Sequence, residues 1–208
     1  MPVRLNGTTG YVELAAPSAA GSNTLTLPTG NGTSGQVLST NGSGALSWIG
    51  AGKILQVVST TKTDTFSTTT ILSTSSNGAQ ITGLTASITP ANTSNKILVV
   101  VSLCGAGTNG VSQLLARLYR DSTSIGSASN ASNRPGVISR TYLADTNVML
   151  SFGFNYLDSP ATTSAVTYSV YIGPDAAGTV YLNRTQNDAD AGLGARTSST
   201  ITVMEVAA

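Results

Sequence analysis

The sequence predicts an all-β protein, with an extended N-terminal arm of short strands and hairpins followed by a jelly-roll β-sandwich head. Three observations predict this class. Only 9% of the 208 residues are charged, and Ser, Thr, Gly and Asn dominate the polar positions. The apolar residues, 40% of the chain, are largely β-branched and can build a core. Short stretches with a two-residue apolar period recur between turn residues, as in sandwiches and jelly rolls.

The arm is predicted over residues 1–52. Its short alternations are separated by turns, with Asn31-Gly32 and Asn41-Gly42 as hairpin-type pairs. About fifty residues with so few large side chains cannot bury enough surface to fold alone. We therefore expect partner chains to order the arm. Tyr11 and Trp48 are its aromatic residues and the predicted anchors for attachment to those partners.

The head is predicted over residues 53–208, beginning where the composition shifts to longer strands. One of its strands shows a clear two-residue period, in which Tyr168, Val170 and Ile172 alternate with Thr167, Ser169 and Tyr171. Roughly ten strands separated by turns predict a sandwich of the jelly-roll type. The predicted strands are 54–58, 63–73, 81–89, 96–104, 113–121, 137–143, 148–157, 166–172, 179–183 and 200–206.

The stretch from Lys96 to Asp121 allows two interpretations. A dense apolar run, residues 97–101, predicts a strand buried on both faces, and GAGTNG at 105–110 then fits the glycine pattern of a dinucleotide-binding loop. Helical spacing after Gly110 would complete such a site. The alternative is a strand-to-strand turn at Asn109-Gly110 in an antiparallel sheet. The turn is favoured, because no further βαβ unit and no acidic residue about 20 positions on accompany the glycines.

Composition argues against several classes of function. Histidine is absent, which removes Ser-His-Asp and Cys-His catalysis and all histidine-based metal sites. Cys104 is the one cysteine, so no internal disulfide is possible. The net charge of +1 is far from that of a nucleic-acid-binding chain. We expect no enzymatic activity, cofactor, metal ion, nucleic-acid partner or membrane partner.

The last predicted strand, Thr200 to Val206, carries apolar residues on both faces. Ile201 and Val203 lie on one face, and Met204 and Val206 lie on the other. A strand of this kind should lie centrally in a sheet or at a subunit interface. These four residues are the predicted subunit interface.

A polar loop near the C-terminus is the predicted receptor-binding site. Residues 187–192, NDADAG, resemble the start of a calcium loop, but the glutamate required at the twelfth position is missing, since positions 198 and 199 are both serine. An aromatic face with polar forks also suits the hydroxyl groups of a glycan, but ordinary turn chemistry is the favoured interpretation of this loop. The candidate receptor-binding residues are Tyr181, Asn183, Arg184, Asn187, Asp188 and Asp190.

Several phrases of the chain resemble bacteriophage tail-fibre and virion fibre proteins, especially those of phages of cyanobacteria. In the arm these are GYVELAAP, AGSNTLTLPTGNG and GQVLSTNGSGALSW. In the head, ITGLTASITPANTSNKILVVVSL, LARLYRDSTSIG, FNYLDSPATTSAVTYSVYI and STITVMEV follow an order similar to the complement and tumour-necrosis-factor jelly rolls.

The resemblance implies a homotrimeric structural protein located in the virion, with other tail or capsid proteins as partners. The chain shows no coiled coil and no extended shaft. Two placements therefore stay open: a short tail fibre or tip that binds the host surface, and a head fibre or capsid decoration protein. A secreted bacterial adhesin is the rival class, and the N-terminus MPVRLNGTTG, which lacks an apolar run, argues against it.

Overall fold

The structure of the chain is a computed structural model. It describes residues 3–6, 11–14, 24–33, 35–50, 52–107, 113–143, 148–188, 190 and 194–208, the first two segments by their backbone alone. The chain divides into two compact units, Met1–Ala51 and Gly52–Ala208. This division lies one residue from the predicted boundary between arm and head.

Within the described residues every regular element is a β-strand, which confirms the all-β class. The strands of the first unit are β1 (Val3–Asn6), β2 (Tyr11–Leu14), β3 (Gln36–Thr40) and β4 (Leu46–Gly50). Those of the second unit are β5 (Ile54–Lys62), β6 (Phe66–Thr68), β7 (Ala79–Ile88), β8 (Lys96–Gly107), β9 (Gln113–Arg120), β10 (Thr123–Ile125), β11 (Ser139–Tyr142), β12 (Leu150–Asp158), β13 (Val166–Pro174), β14 (Val180–Leu182) and β15 (Ser199–Val206).

The first unit contains two antiparallel strand pairs, β1 with β2 and β3 with β4. The turn between β3 and β4 forms at Asn41-Gly42, as predicted. The Asn41 side-chain oxygen accepts hydrogen bonds from the Ser43 and Ala45 backbone N–H groups. Gly42 has a φ of 84°, a conformation that glycine adopts without a steric penalty.

The second unit is a β-sandwich of two sheets, as predicted. One sheet has the order β5-β15-β8-β14-β6, with β12 also paired to β8. The other has the order β10-β9-β13-β7, with β11 also paired to β9. Successive long strands alternate between the sheets, so that β5, β15, β8 and β12 face β7, β13 and β9.

The core lies between these two sheets and is built by the period-2 alternation of their strands. In β15, Ile201 and Val203 point inward and are completely buried, while Thr202 and Met204 on the other face are partly exposed. In β13, Tyr168, Val170 and Ile172 are completely buried, which confirms the alternation that the sequence predicts for this strand. Cys104 is a free, buried thiol in β8.

The stretch from Lys96 to Asp121 confirms the predicted strand at 113–121 and corrects two other expectations. Residues 113–120 form strand β9 and not a helix. However, β8 and β9 lie in different sheets, so their connection is a crossover and not a hairpin turn within one sheet. Asn109-Gly110 lies outside the described residues. Strand β8 is also not buried on both faces along its length, because Val100 is 37% exposed and Ser102 is exposed.

A charged network links the two sheets at one end of the core. Arg120 of β9 donates two hydrogen bonds to the Asp158 carboxylate of β12, at 2.9 and 2.8 Å. The Tyr168 hydroxyl donates to the same carboxylate at 2.7 Å, and both Tyr168 and Asp158 are buried. Burial and then this hydrogen bond raise the pKa of Tyr168. The network therefore stays intact at neutral pH and connects three strands across the sandwich.

Glu205 of β15 is a buried carboxylate held by neutral donors. It accepts hydrogen bonds from the Asn95 side chain at 2.6 Å, the Gln56 side chain at 2.6 Å and the Ala91 backbone N–H at 2.7 Å. Desolvation by burial raises its pKa, but these hydrogen bonds outweigh that effect and lower the pKa below the ordinary value of 4.5. The folded state therefore favours the ionised form.

The lowered pKa of Glu205 gives a pH-dependent contribution to stability. That contribution is fully present above the pKa of the unfolded chain, near 4.5, and is lost as the pH falls through the lower pKa of the folded state. In Glu205→Gln this dependence should disappear, and roughly 1–3 kcal/mol of stability at neutral pH should be lost with the acceptor oxygen. Urea unfolding of both proteins between neutral pH and pH of about 3 measures the two effects. Parallel pH profiles would contradict the assignment.

Candidate functional site

Only some of the predicted receptor-binding residues form a surface cluster. The Arg184 guanidinium lies over the Tyr181 ring, 4.3 Å from its centroid. Asp188 forms ion pairs with Arg184 at 3.5 Å and with Arg196 at 2.7 Å, and Arg196 donates a second hydrogen bond to it at 2.9 Å. Tyr181, Arg184 and Asp188 therefore do come together, and Arg196 joins them. The prediction missed Arg196 because it lies eight residues beyond Asp188.

Asn183 does not belong to this exposed cluster, which corrects its assignment to receptor binding. It is completely buried, and its amide nitrogen donates to the carbonyl groups of Lys62 at 2.9 Å and Asp64 at 3.0 Å. Its amide oxygen accepts from the Ser199 hydroxyl at 2.7 Å. Asn183 also has a φ of 62°, a conformation that asparagine tolerates better than most residues. Its role is structural, since it ties the end of β14 to β5 and β15.

Asn183→Ala should therefore destabilise the sandwich instead of weakening a surface interaction. We expect a loss of roughly 2–3 kcal/mol, because buried carbonyl and hydroxyl groups lose their partner and alanine is strained at positive φ. Chemical denaturation measures the loss. Asn187→Ala is the matched control, because Asn187 is exposed and only its backbone carbonyl forms a contact, with the Thr185 hydroxyl at 3.0 Å. Equal stability of both variants would contradict the structural role.

The remaining predicted residues of this loop lie at the surface. Asn187 and Asp190 are exposed, and part of the NDADAG stretch lies outside the described residues. In the portion of the chain that the structure describes, no three His, Cys, Asp or Glu side chains are grouped closely enough to hold a metal ion. The described residues also contain no helix of sufficient length and hydropathy to span a membrane.

The predicted trimer interface divides between the two faces of β15. Ile201 and Val203 are completely buried in the chain's own core, which corrects their assignment to a subunit interface. Met204 and Val206 lie on the outer face and are partly exposed. The alternation of a strand separates the two pairs in this way, because residues of opposite parity point to opposite faces.

Met204 is part of an apolar row that crosses four neighbouring strands on the outer face of the sheet. It is directly opposite Val57 of β5 and Leu98 of β8, and Leu98 is opposite Leu157 of β12. Val57 is 56% exposed and Leu157 is 53% exposed. We call Val57, Leu98, Leu157 and Met204 the apolar row. Contiguous exposed apolar side chains of this kind mark surfaces that contact other molecules.

The same face becomes polar towards its other end. Thr202 lies two residues before Met204 in β15 and is opposite Ser59 and Val100. Thr200 lies two residues earlier still and is opposite Thr61 and Ser102. The Ser59 and Thr202 hydroxyls are hydrogen-bonded to each other at 2.7 Å. Apart from Val100, which is 37% exposed, the exposed side chains of these two rows are polar.

Of the two predicted attachment residues, the structure describes the side chain of Trp48 alone. Tyr11 lies in β2, and its side chain is outside the described part. The Trp48 indole N–H donates to the Gly30 carbonyl at 2.9 Å, and its ring lies against Gly32, where a Cβ atom would come within 2.6 Å of it. The ring is still 38% exposed. It thus organises residues 30–32 while keeping an apolar face at the surface.

Other large apolar side chains of the first unit are also exposed. These are Leu25, Leu27, Val37, Leu38 and Ile49. Within residues 24–33 and 35–50, no residue is fully buried. Hydrophobic burial in these two segments is therefore slight.

A pocket of about 460 Å³ beside β9 and β11 was not anticipated from the sequence. Leu72, Leu115, Pro135 and Val137 supply its apolar lining, and Arg134, Arg140, Gln113, Asn133 and Asp175 are among its polar residues. Arg134 and Arg140 are exposed. The only sequence signal for this pocket is the two arginines that flank the 135–139 stretch, which is weak because exposed arginines are common.

No family model matches the chain, and no curated protein matches it. Among solved structures, the chain is similar to the structure of infectious bursal disease virus, Gx strain, at 13% identity and a TM-score of 0.34. It is also similar, at 15% identity and the same TM-score, to T=1 particles derived from infectious bursal virus. The chain is covered at 97% and 96%, but it spans only 45% and 43% of those chains. Similarity at this level defines neither a fold nor a function.

Proposed function

We propose that this chain is a non-enzymatic structural protein of a bacteriophage virion, a short homotrimeric fibre of the tail or its tip. In this proposal residues 1–52 are the attachment arm and residues 53–208 form the head that contacts the host surface. The phrases that resemble phage fibre proteins are the sequence support. The apolar row is the structural observation that carries the proposal, because a complete sandwich core leaves these side chains uncovered.

The apolar row favours association of identical chains. Each partner presents the same apolar row. Its side chains are those of valine, methionine and leucine, which carry no charge. Burying apolar surface releases roughly 25 cal/mol per Å². Three copies that meet along this face would cover the row and leave the loops of the opposite sheet free. The exposed apolar groups of the first unit supply the contacts for other virion proteins, with Tyr11 and Trp48 as the aromatic anchors.

The surface cluster of Tyr181, Arg184 and Asp188 remains the candidate for contact with a bacterial surface glycan. The Tyr181 ring is partly covered by Arg184, and Asn187 and Asp190 add exposed polar groups nearby in sequence. Loops on a rigid scaffold commonly carry recognition. A head fibre or capsid decoration protein is the alternative placement, and it uses the same arm and the same trimer.

Deleting residues 1–30 tests the arm. We expect a soluble, folded head that no longer incorporates into particles, because the exposed apolar contacts of the first unit are reduced. Circular dichroism checks the fold, and mass spectrometry of purified virions checks incorporation. Arg184→Ala in the full chain is the matched control: incorporation should persist, and adsorption to host cells should fall.

The outcomes separate the two placements. Normal adsorption together with reduced particle stability would favour the capsid decoration protein. Incorporation of the truncated chain would contradict the assignment of the arm. Absence of the full-length chain from purified virions would contradict the proposal as a whole.

A further inference from the structure

A second polar pocket lies on the outer face of β9, beneath two loops that fold over the sheet. Arg117 points to this face and is only 6% exposed. Its guanidinium donates to the carbonyl groups of Ser73 at 3.0 Å, Ser76 at 3.4 Å and Gly136 at 2.9 Å, and to the Asn77 side-chain oxygen at 2.7 Å. The two loops, residues 73–77 and 128–136, are thus held against β9 by one cation.

The described surroundings of Arg117 supply no ion-pair partner. All four of its acceptors are neutral oxygens, and among the described residues no carboxylate lies within ion-pair distance of it. A guanidinium has five N–H donors, so one remains unused. A buried charge without an opposite charge is costly, because desolvation is not repaid by a Coulomb interaction. The surroundings of Arg117 therefore favour an anion.

The pocket beside Arg117 has a volume of about 250 Å³, and six of the eight residues that line it are polar. We call it the Arg117 pocket. One of these residues is Ser127, whose buried hydroxyl has no hydrogen-bond partner among the described residues. Buried polar groups nearly always have a partner, so this hydroxyl is available to pair with a ligand atom. The lining residues are Thr74, Asn77, Arg117, Ser124, Ser127, Ala128, Asn130 and Gly136.

The wall of the pocket is fixed before any ligand enters. The Asn130 side chain donates to the Thr74 carbonyl at 3.2 Å and accepts from the Gly136 N–H at 2.7 Å, which joins the two loops. Ala131 and Arg134 exchange two backbone hydrogen bonds of 3.0 Å at the tip of the second loop. A binding site that is held in place in this way loses little conformational entropy when a ligand binds.

We propose that the Arg117 pocket binds a small, hydroxyl-rich molecule that carries a carboxylate, the chemistry of an acidic sugar residue. The carboxylate supplies the charge that Arg117 lacks, and the ligand hydroxyls match the Ser, Thr and Asn side chains. The volume lies below the roughly 300–1,000 Å³ of pockets for drug-sized ligands, which limits the occupant to a single ring. For its biological meaning this site rests on the proposed role of the head at the host surface.

Calorimetric titration of the full chain with three probes tests the site. Glucuronic acid is expected to bind with a dissociation constant of about 1 mM, and neutral glucose and inorganic phosphate at least about tenfold more weakly. Comparable affinity for phosphate would overturn the sugar specificity, and comparable affinity for glucose would overturn the role of charge. No detectable binding of glucuronic acid would overturn the proposal.

Variants of Ser127 locate the binding. Ser127→Ala should weaken glucuronic acid binding about tenfold without lowering stability, because the hydroxyl forms no bond in the free protein. Ser151→Ala, on the exposed face of β12, is the control and should bind as the parent does. Unchanged affinity in Ser127→Ala would place the ligand elsewhere and overturn the assignment.

Ser127→Asp provides a second, independent measurement. A carboxylate built into the wall would neutralise Arg117, so glucuronic acid binding should be lost while the melting temperature rises. Retained binding, or a lower melting temperature, would contradict the uncompensated charge. These outcomes are distinct from those for the virion role. A chain found in particles that does not bind glucuronic acid overturns only this site, and a chain that binds it but is absent from particles overturns only the proposed function.

Discussion

Asp158→Ala is expected to lower the free energy of unfolding by roughly 3 kcal/mol, the lower end of the range for breaking a buried ion pair. The carboxylate receives two hydrogen bonds from Arg120 and one from Tyr168, so its removal leaves a guanidinium and a buried hydroxyl without their acceptor. The lower end applies because the Arg120 side chain is 25% exposed and water can solvate part of it. Urea denaturation at neutral pH measures the change.

Two further variants provide comparisons for the stability of Asp158→Ala. Tyr168→Phe removes a single donor and should cost about 1–2 kcal/mol, less than Asp158→Ala. Asp190→Ala changes an exposed carboxylate and should have little effect. If Asp158→Ala were no more destabilising than Asp190→Ala, the network would contribute nothing to holding the two sheets together.

Met204→Asp is expected to convert the proposed trimer to monomers. Met204 lies in the middle of the apolar row, opposite Val57 and Leu98, so a subunit contact there would have to bury an unpaired carboxylate at a cost of several kcal/mol. The side chain is on the outer face, so the fold of each chain should persist. Light scattering gives the number of chains, and circular dichroism checks the fold.

Thr200→Asp is the matched control for Met204→Asp. It lies on the same face of the same strand, but at the polar end, opposite Thr61 and Ser102. The trimer should survive this change. A parent chain that is already monomeric, or a trimer that tolerates Met204→Asp, would show that the apolar row is not the subunit contact.

The sequence was a good guide to strands and a poor guide to their partners. Residues 166–172 and 200–206 were predicted as strands and lie within β13 and β15, because period-2 alternation is a local property. The pairing of β8 was not predictable in the same way. Its neighbour in sequence, β9, lies in the other sheet, and its partners β12, β14 and β15 come from much later in the chain. Long-range burial decides such pairings, and local pattern does not encode it.

The same limit applies to the candidate sites. Arg117 and Arg120 are alike in sequence, but three positions along a strand place them on opposite faces. Arg120 faces the core and meets Asp158, whereas Arg117 is buried only because the loops at 73–77 and 128–136 fold over it. Asn183 lies in a polar stretch of the sequence, which predicts a surface position for its side chain. Its burial follows from carbonyl groups more than 100 residues earlier in the chain, at Lys62 and Asp64.

The central position of β15 has a consequence for synthesis on the ribosome. This strand lies between β5 and β8, and the Ala207 N–H donates to the Lys53 carbonyl at 2.7 Å. The first and last strands of the sandwich are therefore neighbours, and the sheet has a gap at its centre until the final residues emerge. Nascent chains should stay unfolded until translation passes Val206. A chain that stops before β15 would also lack Met204, and with it one strand's contribution to the apolar row.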